Sequence, residues 1–336
     1  MLLEFTHTTE LTYTDHIHDS AMELRVCPSQ VGDQHRLSFD LAIGPAAQVH
    51  SYFDWLDNHV HAFTVNGYHD RIRMVATSVV ETDRPEQPID WLDTLPDTWP
   101  LDGVDGEYQH YDFLQFGGLV KDTPLLRQLV DHIAPRDGEP AGSLLRRTLH
   151  VMKERFGYKT GVTTSASTSE AMLEKGAGVC QDFTHVLLGA LRAMQIPARY
   201  CSGIVYSNAS EPNQPQYLGA SQTHAWVEAY LPSQADSETG GWVGLDATNT
   251  CLAGPRFIKV AVGRDYGDVP PNKGVYRGAG EESIEVSVST RWLSSVPPEL
   301  MAERVRKLPL TATPTPPNLV EAEAGRLQQQ QQQQQQ

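Results

Sequence analysis

The sequence predicts an α+β protein in which an N-terminal antiparallel β-sandwich or barrel is followed by helices and then by a mostly antiparallel sheet. Three observations carry this prediction. Residues 1 to about 85 hold short β-rich or alternating runs with turn residues between them and no helical period. Residues 123–196 hold apolar residues spaced by three and four. From Ala198 onward the period of two returns. Strands followed by helices and more strands, without βαβ alternation, indicate segregated α+β layers.

In the first region the expected strands are Leu3–Tyr13, Ala21–Cys27, Arg36–Ile43, Gln48–Tyr52, Val60–Thr64 and Arg71–Val80, with Pro28, Gly32-Asp33, Gly44-Pro45 and Asn66-Gly67 as turns. His16-Ile-His18 and His59-Val-His61 each place two imidazoles on one strand face. Neither pair has carboxylate or cysteine partners at ligand spacing, so solvated strand faces are the expectation and no metal site is assigned. Residues 86–106, rich in Pro, Asp and Gly, read as a linker or irregular connection between this domain (1–85) and a second unit covering 107–293.

That unit opens with helices. Thr123-Pro124 supplies an N-cap and a first helical residue for a helix to about Ile133. Leu145, Leu149, Met152 and Phe156 mark the apolar face of a second over Gly142–Phe156, and Glu170–Lys175 forms a short third. The fourth, central helix begins at Cys180 and ends at Ile196-Pro197, with Phe183, Val186, Leu187, Ala190, Leu191 and Met194 as its stripe. The strands Ala198–Tyr206, Gln222–Leu231 and Trp242–Asp246 follow, with further strands over 256–262 and 283–291 and a polar insertion, Ser207–Ala220. The tail over 309–336 is rich in Pro and Thr and ends in Gln328–Gln336, a composition expected to remain disordered.

Composition excludes several functions. With 26 basic against 42 acidic residues the net charge is −16, and no Lys/Arg cluster exists to serve nucleic acid or an anionic membrane. No signal-peptide pattern opens the chain and no apolar run approaches a membrane span, so a cytoplasmic protein is expected. Cys27, Cys180, Cys201 and Cys251 are too sparse for a disulfide framework, and reduced thiols are expected. Nothing in the sequence sets an oligomeric state.

Of the four, Cys180 has a nucleophile's setting. Gly176-Ala-Gly-Val delivers it to the first turn of a helix, where the dipole and unpaired N–H groups favour a thiolate. A nucleophilic thiol needs a base and a group that orients the base. If Pro232–Gly241 is a hairpin turn, a register pairing Glu228 with Trp242 also pairs His224 with Asp246. His224 then serves as base and later as acid, and Asp246 fixes its tautomer. The backbone N–H of Cys180 is one oxyanion donor, and a second is unassigned. The plain alternatives are a core histidine at 224 and a turn-capping carboxylate at 246. Asp182 reads as a helix first-turn acid, and His185 lies on another face from Cys180.

At these elements the chain resembles the transglutaminase-like superfamily. The matching segments are Gly178-Val-Cys180-Gln-Asp-Phe-Thr-His, Gln222-Thr-His224-Ala-Trp-Val-Glu and Gly241-Trp-Val-Gly-Leu-Asp246-Ala-Thr-Asn, and the stretch from Ala261 to Gly278 looks like a signature of the bacterial branch. The resemblance implies a papain-like core, a catalytic Cys180, His224 and Asp246, and a thioester made from an amide of a peptide or protein substrate. Hydrolysis by water makes the protein a cysteine peptidase or amidase; attack by an amine makes it a protein-glutamine acyltransferase; a retired catalyst kept as a binding module is the non-enzymatic alternative. This mechanism needs no metal or organic cofactor. Calcium dependence, known in animal members, finds no EF-hand spacing in Asp102-Gly-Val-Asp-Gly-Glu107. The terminal glutamines, being amides themselves, raise self-modification as a further possibility.

Overall fold

The computed structural model describes residues 1–102, 104, 108–208, 216–220, 222–297 and 303–314. Most of the acidic stretch 102–107, the middle of the insertion Ser207–Ala220, and the tail beyond 314 with its glutamines lie outside the described residues. The fold is α+β, with a curled, barrel-like N-terminal sheet and a core of helices on a five-stranded antiparallel sheet.

One long strand, β1 (Leu2–Leu24), organises the N-terminal sheet. Over residues 2–13 its alternation buries Leu3, Phe5, His7, Thr9, Leu11 and Tyr13, as the period of two dictates. The sequence reading split β1 into two strands. Instead the chain continues through irregularities beyond Thr12, with Asp19 in the left-handed region, and bends without breaking. Its first half pairs with β5 (His69–Thr82) and its second with β4 (His59–Val65), which β3 (Val49–Phe53) flanks. β2 (Gln34–Gly44) lies beyond β5. This shared, bent strand curls the sheet.

The helices α1 (Pro124–Ile133), α2 (Ala141–Arg155), α3 (Ser169–Lys175) and α4 (Cys180–Ala193) form the first layer of the core. Thr123 caps α1 by accepting the Leu126 N–H at 3.3 Å. The stretch read as a linker is packed: Leu92 and Leu95 join the core cluster under α2. The second layer is a sheet in the order β9 (Cys251–Leu252), β8 (Trp242–Asp246), β7 (His224–Tyr230), β6 (Ala198–Val205), β10 (Phe257–Gly263). α4 lies between this sheet and the other helices, and residues 182–192 are buried all round rather than along one stripe. Arg192, enclosed by that burial, is satisfied: its guanidinium donates to the carbonyl oxygens of Phe113, Gln115, Ala198 and Arg264.

The chain then returns to the N-terminal sheet. β11 (Asn272–Arg277) and β12 (Glu282–Trp292), attached by the sequence reading to the core, pair with the two halves of β1. β13 (Glu303–Lys307) pairs parallel with β2, and Thr313 exchanges backbone bonds with Tyr68, so the first tail residues are part of this sheet. The two units are also joined at β10, whose outer edge is covered by side-chain amides. Gln34 accepts from the Lys259 N–H and donates to its oxygen, each at 2.8 Å, and Asn58 does the same at Val262 over 2.7 and 2.8 Å. Two amides thus take the place of a neighbouring strand.

Candidate active site

The approach to Cys180 depends on a close packing that only glycine permits. A Cβ on Gly178 would stand 2.6 Å from the side chain of Asp182. That side chain folds back to accept the Val179 N–H at 2.8 Å and the Thr163 hydroxyl at 2.6 Å. Val179 carries no acceptor, so only the returning half of a capping box forms. Asp182 therefore shapes the helix start, as its first-turn position suggests. Cys180 is the first residue of α4 and is partly exposed. Its N–H, at a helix N-terminus, has no intrahelical acceptor.

His224 opens β7 and Asp246 ends β8. The hairpin register differs from the expected one by two residues: Glu228 faces Gly244 and Tyr230 faces Trp242, closed by the Leu231 N–H on the Gly241 oxygen at 2.9 Å. A shift of two preserves the face of every side chain. His224 and Asp246 therefore meet on a diagonal, with His224 Nε2 2.8 Å from Asp246 Oδ2 and both side chains fully buried. The carboxylate serves two purposes. Oδ1 accepts the N–H groups of Thr248 and Asn249, which is the turn-capping role, while Oδ2 holds the imidazole and accepts the Asn249 amide at 2.7 Å.

The other imidazole nitrogen, Nδ1, faces Gly219 and the Cys180 side. Cys180 lies close enough to influence the ring's charge, yet its thiol is turned toward the Thr223 oxygen at 3.9 Å, and Nδ1 itself has no hydrogen-bond partner. Burial alone would strip His224 of its proton. The Asp246 carboxylate, with Cys180 behind it, reverses this and raises the pKa to about 10. The geometry can hold an imidazolium beside a sulfur.

Other titratable groups have structural roles. Burial lowers His185 to about 3, and its Nε2 accepts the Tyr266 N–H. Burial pushes the thiols of Cys27, Cys201 and Cys251 upward, and all four cysteines are free. His59 and His61 do not lie on a solvated face: their rings stack at 4.5 Å between Phe53 and Phe39, and burial lowers His61 to about 4.

The sequence reading left three contributors unnamed. Asn249 bridges Asp246 to the loop before His224, accepting the Leu218 N–H at 2.8 Å. Gly219 lies against the imidazole, and Tyr158 is an electrostatic neighbour of Cys180. Asn249 was visible as the fourth residue of Asp246-Ala-Thr-Asn; the other two had no signal of their own.

The bacterial transglutaminase-like N-terminal region matches residues 3–81, and the transglutaminase-like superfamily core matches 127–247, a span that includes Cys180, His224 and Asp246. The uncharacterized protein ML0607 of Mycobacterium leprae is 29% identical over 288 residues, covering 84% of this chain and 95% of that one. The uncharacterized protein Rv2569c of Mycobacterium tuberculosis is 28% identical over 290 residues, covering 84% and 90%. A solved structure from Cytophaga hutchinsonii, named a putative cysteine protease, shares the fold with a TM-score of 0.65 at 21% identity, covering 88% of this chain and 93% of that one. Matched in its N-terminal region and its core, the chain belongs to the transglutaminase-like superfamily, in the bacterial branch that carries this N-terminal domain.

Proposed function

We propose that the protein is a cysteine-dependent amide or peptide hydrolase acting through a thioester. The observation that carries this reading is the buried bond between His224 Nε2 and Asp246 Oδ2, which leaves the second ring nitrogen on the side of Cys180 at a helix N-terminus. The thiolate attacks the amide carbonyl, and the C=O pair moves to oxygen beside the Cys180 N–H. His224 gives its proton to the leaving amine. The neutral imidazole then accepts a proton from water, which attacks the thioester, releases the acid and restores the thiolate beside the imidazolium. The substrate class is a peptide or protein amide. Water is favoured as acceptor because Cys180 is reached from solvent.

Alkylation of the intact protein by iodoacetamide, read by mass across pH, tests the pair. Cys180 is expected to react faster than a free thiol near neutrality, and His224→Ala to slow it. Reaction at free-thiol rates, unaffected by His224→Ala, would leave a binding module instead. Dimethylated casein offered with a fluorescent primary amine separates the two enzymatic fates: peptide release without amine incorporation is hydrolysis, and incorporation lost in Cys180→Ala is acyl transfer.

A further inference from the structure

An oxyanion hole at Cys180 needs a second donor besides its own N–H, and the backbone around the helix start directs attention to one segment. Residues 157–158 and 177–178 form a short parallel ladder in which Tyr158 pairs with Gly178. It is closed at both ends, by the Gly157 N–H on the Gly176 oxygen at 3.0 Å and the Lys159 N–H on the Gly178 oxygen at 2.8 Å. Neighbouring strands lie about 4.8 Å apart, so Tyr158 stands beside the residue two positions before Cys180. The chain after it stays at the same helix end: Lys175 donates to the Val162 oxygen, Thr163 to Asp182, and the Gln181 amide to the Ser165 oxygen. The segment 157–165 is thereby a wall fastened to the start of α4.

Tyr158 packs, half-buried, against the same apolar cluster as Cys180, and among the described residues its hydroxyl has no hydrogen-bond partner. Two other donors on this side of the core are enclosed. Tyr200 also neighbours Cys180 but is only 2% exposed, on the sheet beneath α4. The unpaired Trp226 indole N–H is fully buried, behind His224 in a stacked pair at 6.3 Å. Tyr158 alone of these stands where a substrate carbonyl can reach it.

We propose that the Tyr158 hydroxyl is the second donor of the oxyanion hole, catalytic in the acylation of Cys180; this rests on the reading of Cys180 as nucleophile. As the C–S bond forms and the C=O pair moves to oxygen, Tyr158 and the Cys180 N–H donate hydrogen bonds to that oxygen. Tyr158 keeps its proton, and the leaving group takes one from His224. Burial, aided by the charge of Cys180, raises the phenol above its usual range, so the group stays a donor throughout the neutral region.

Two reagents on one thiol test this. Acylation by 4-nitrophenyl acetate proceeds through an oxyanion; displacement of iodide from iodoacetamide does not. Both rates at Cys180 are measured by mass in wild type and Tyr158→Phe, with Cys180→Ala as the blank. Removing a donor is expected to slow acylation about 10- to 100-fold, with alkylation changed less than about twofold, the unchanged alkylation showing that the site is intact. Equal losses in both rates would make Tyr158 a support for the thiol rather than a donor, and no loss in either would make it a bystander; both overturn the proposal while leaving Cys180 a nucleophile. A wild-type Cys180 that reacts with neither reagent faster than a free thiol removes the underlying reading as well.

Discussion

Asp246→Asn is the most informative single perturbation, because one oxygen is exchanged for an amide nitrogen at a site where all four contacts are known. Oδ1 accepts two backbone N–H groups, from Thr248 at 2.9 Å and Asn249 at 3.2 Å, so the asparagine carbonyl must remain there. Its NH2 then faces His224 Nε2 at 2.8 Å and the Asn249 amide at 2.7 Å. To meet a donor, Nε2 must become an acceptor, and the ring proton moves to Nδ1, facing the thiol. As the proposed base, the ring is then in the wrong tautomer. The lost charge adds to this. The imidazole pKa is raised from 6.5 to about 10, chiefly by Asp246 against the cost of burial, which corresponds to roughly 5 kcal/mol favouring the imidazolium at about 1.4 kcal/mol per unit. Iodoacetamide alkylation of Cys180 near neutrality should fall at least about 100-fold. Stability follows with a definite sign. A pKa raised on folding stabilises fully below 6.5 and loses its contribution as pH rises toward about 10, so the urea-denaturation difference between wild type and variant should shrink across that window. Alkylation within threefold of wild type from pH 5 to 9 would refute the account.

Three further outcomes are expected. Gln34→Ala leaves the Lys259 N–H without a partner at the covered edge of β10, while the Lys259 oxygen keeps the Ser29 N–H at 3.0 Å, and should cost about 1–3 kcal/mol in denaturant titrations, the range for one buried orphan; a loss below about 0.5 kcal/mol would mean that water or another side chain replaces the amide. Gly219→Ala places a Cβ 2.9 Å from His224 Nδ1 at a φ of +86°, which should destabilise by about 1–3 kcal/mol and slow Cys180 alkylation, whereas wild-type alkylation would place the ring elsewhere. Arg192→Met strips donors from four carbonyl oxygens around α4, of which Phe113 keeps the Ala198 N–H, and should lower stability by at least about 3 kcal/mol, read from the shift in urea midpoint.

The parts of this molecule that the sequence makes legible are those decided by local chemistry or by parity. Thr123-Pro124 marks a helix start because capping and the missing proline N–H act within one turn, whereas the helix expected to run to Ile196-Pro197 stops at Ala193, just before Gln195 enters the left-handed region. His224 and Asp246 are legible as neighbours even though the hairpin register is displaced, because a slip of two changes which Cα atoms oppose one another and not which face they share. A slip of one would have separated them. What escapes is non-local. Glu282–Trp292 has the alternation of any strand, and no local preference says that it returns across the whole core to lie on β1. Gln34 and Asn58 read as ordinary polar residues near turns, yet each binds both backbone groups of a strand more than 200 positions away. Tyr158 belongs to a ladder too short to have a period. The candidate site thus combines two sources. Cys180, His224 and Asp246 come from elements whose own patterns orient them, while the wall beside the thiol and the clasp on β10 arise only when distant segments close. The substitutions at Gln34 and Tyr158 separate these contributions, since the first should act on stability and the second on acylation alone.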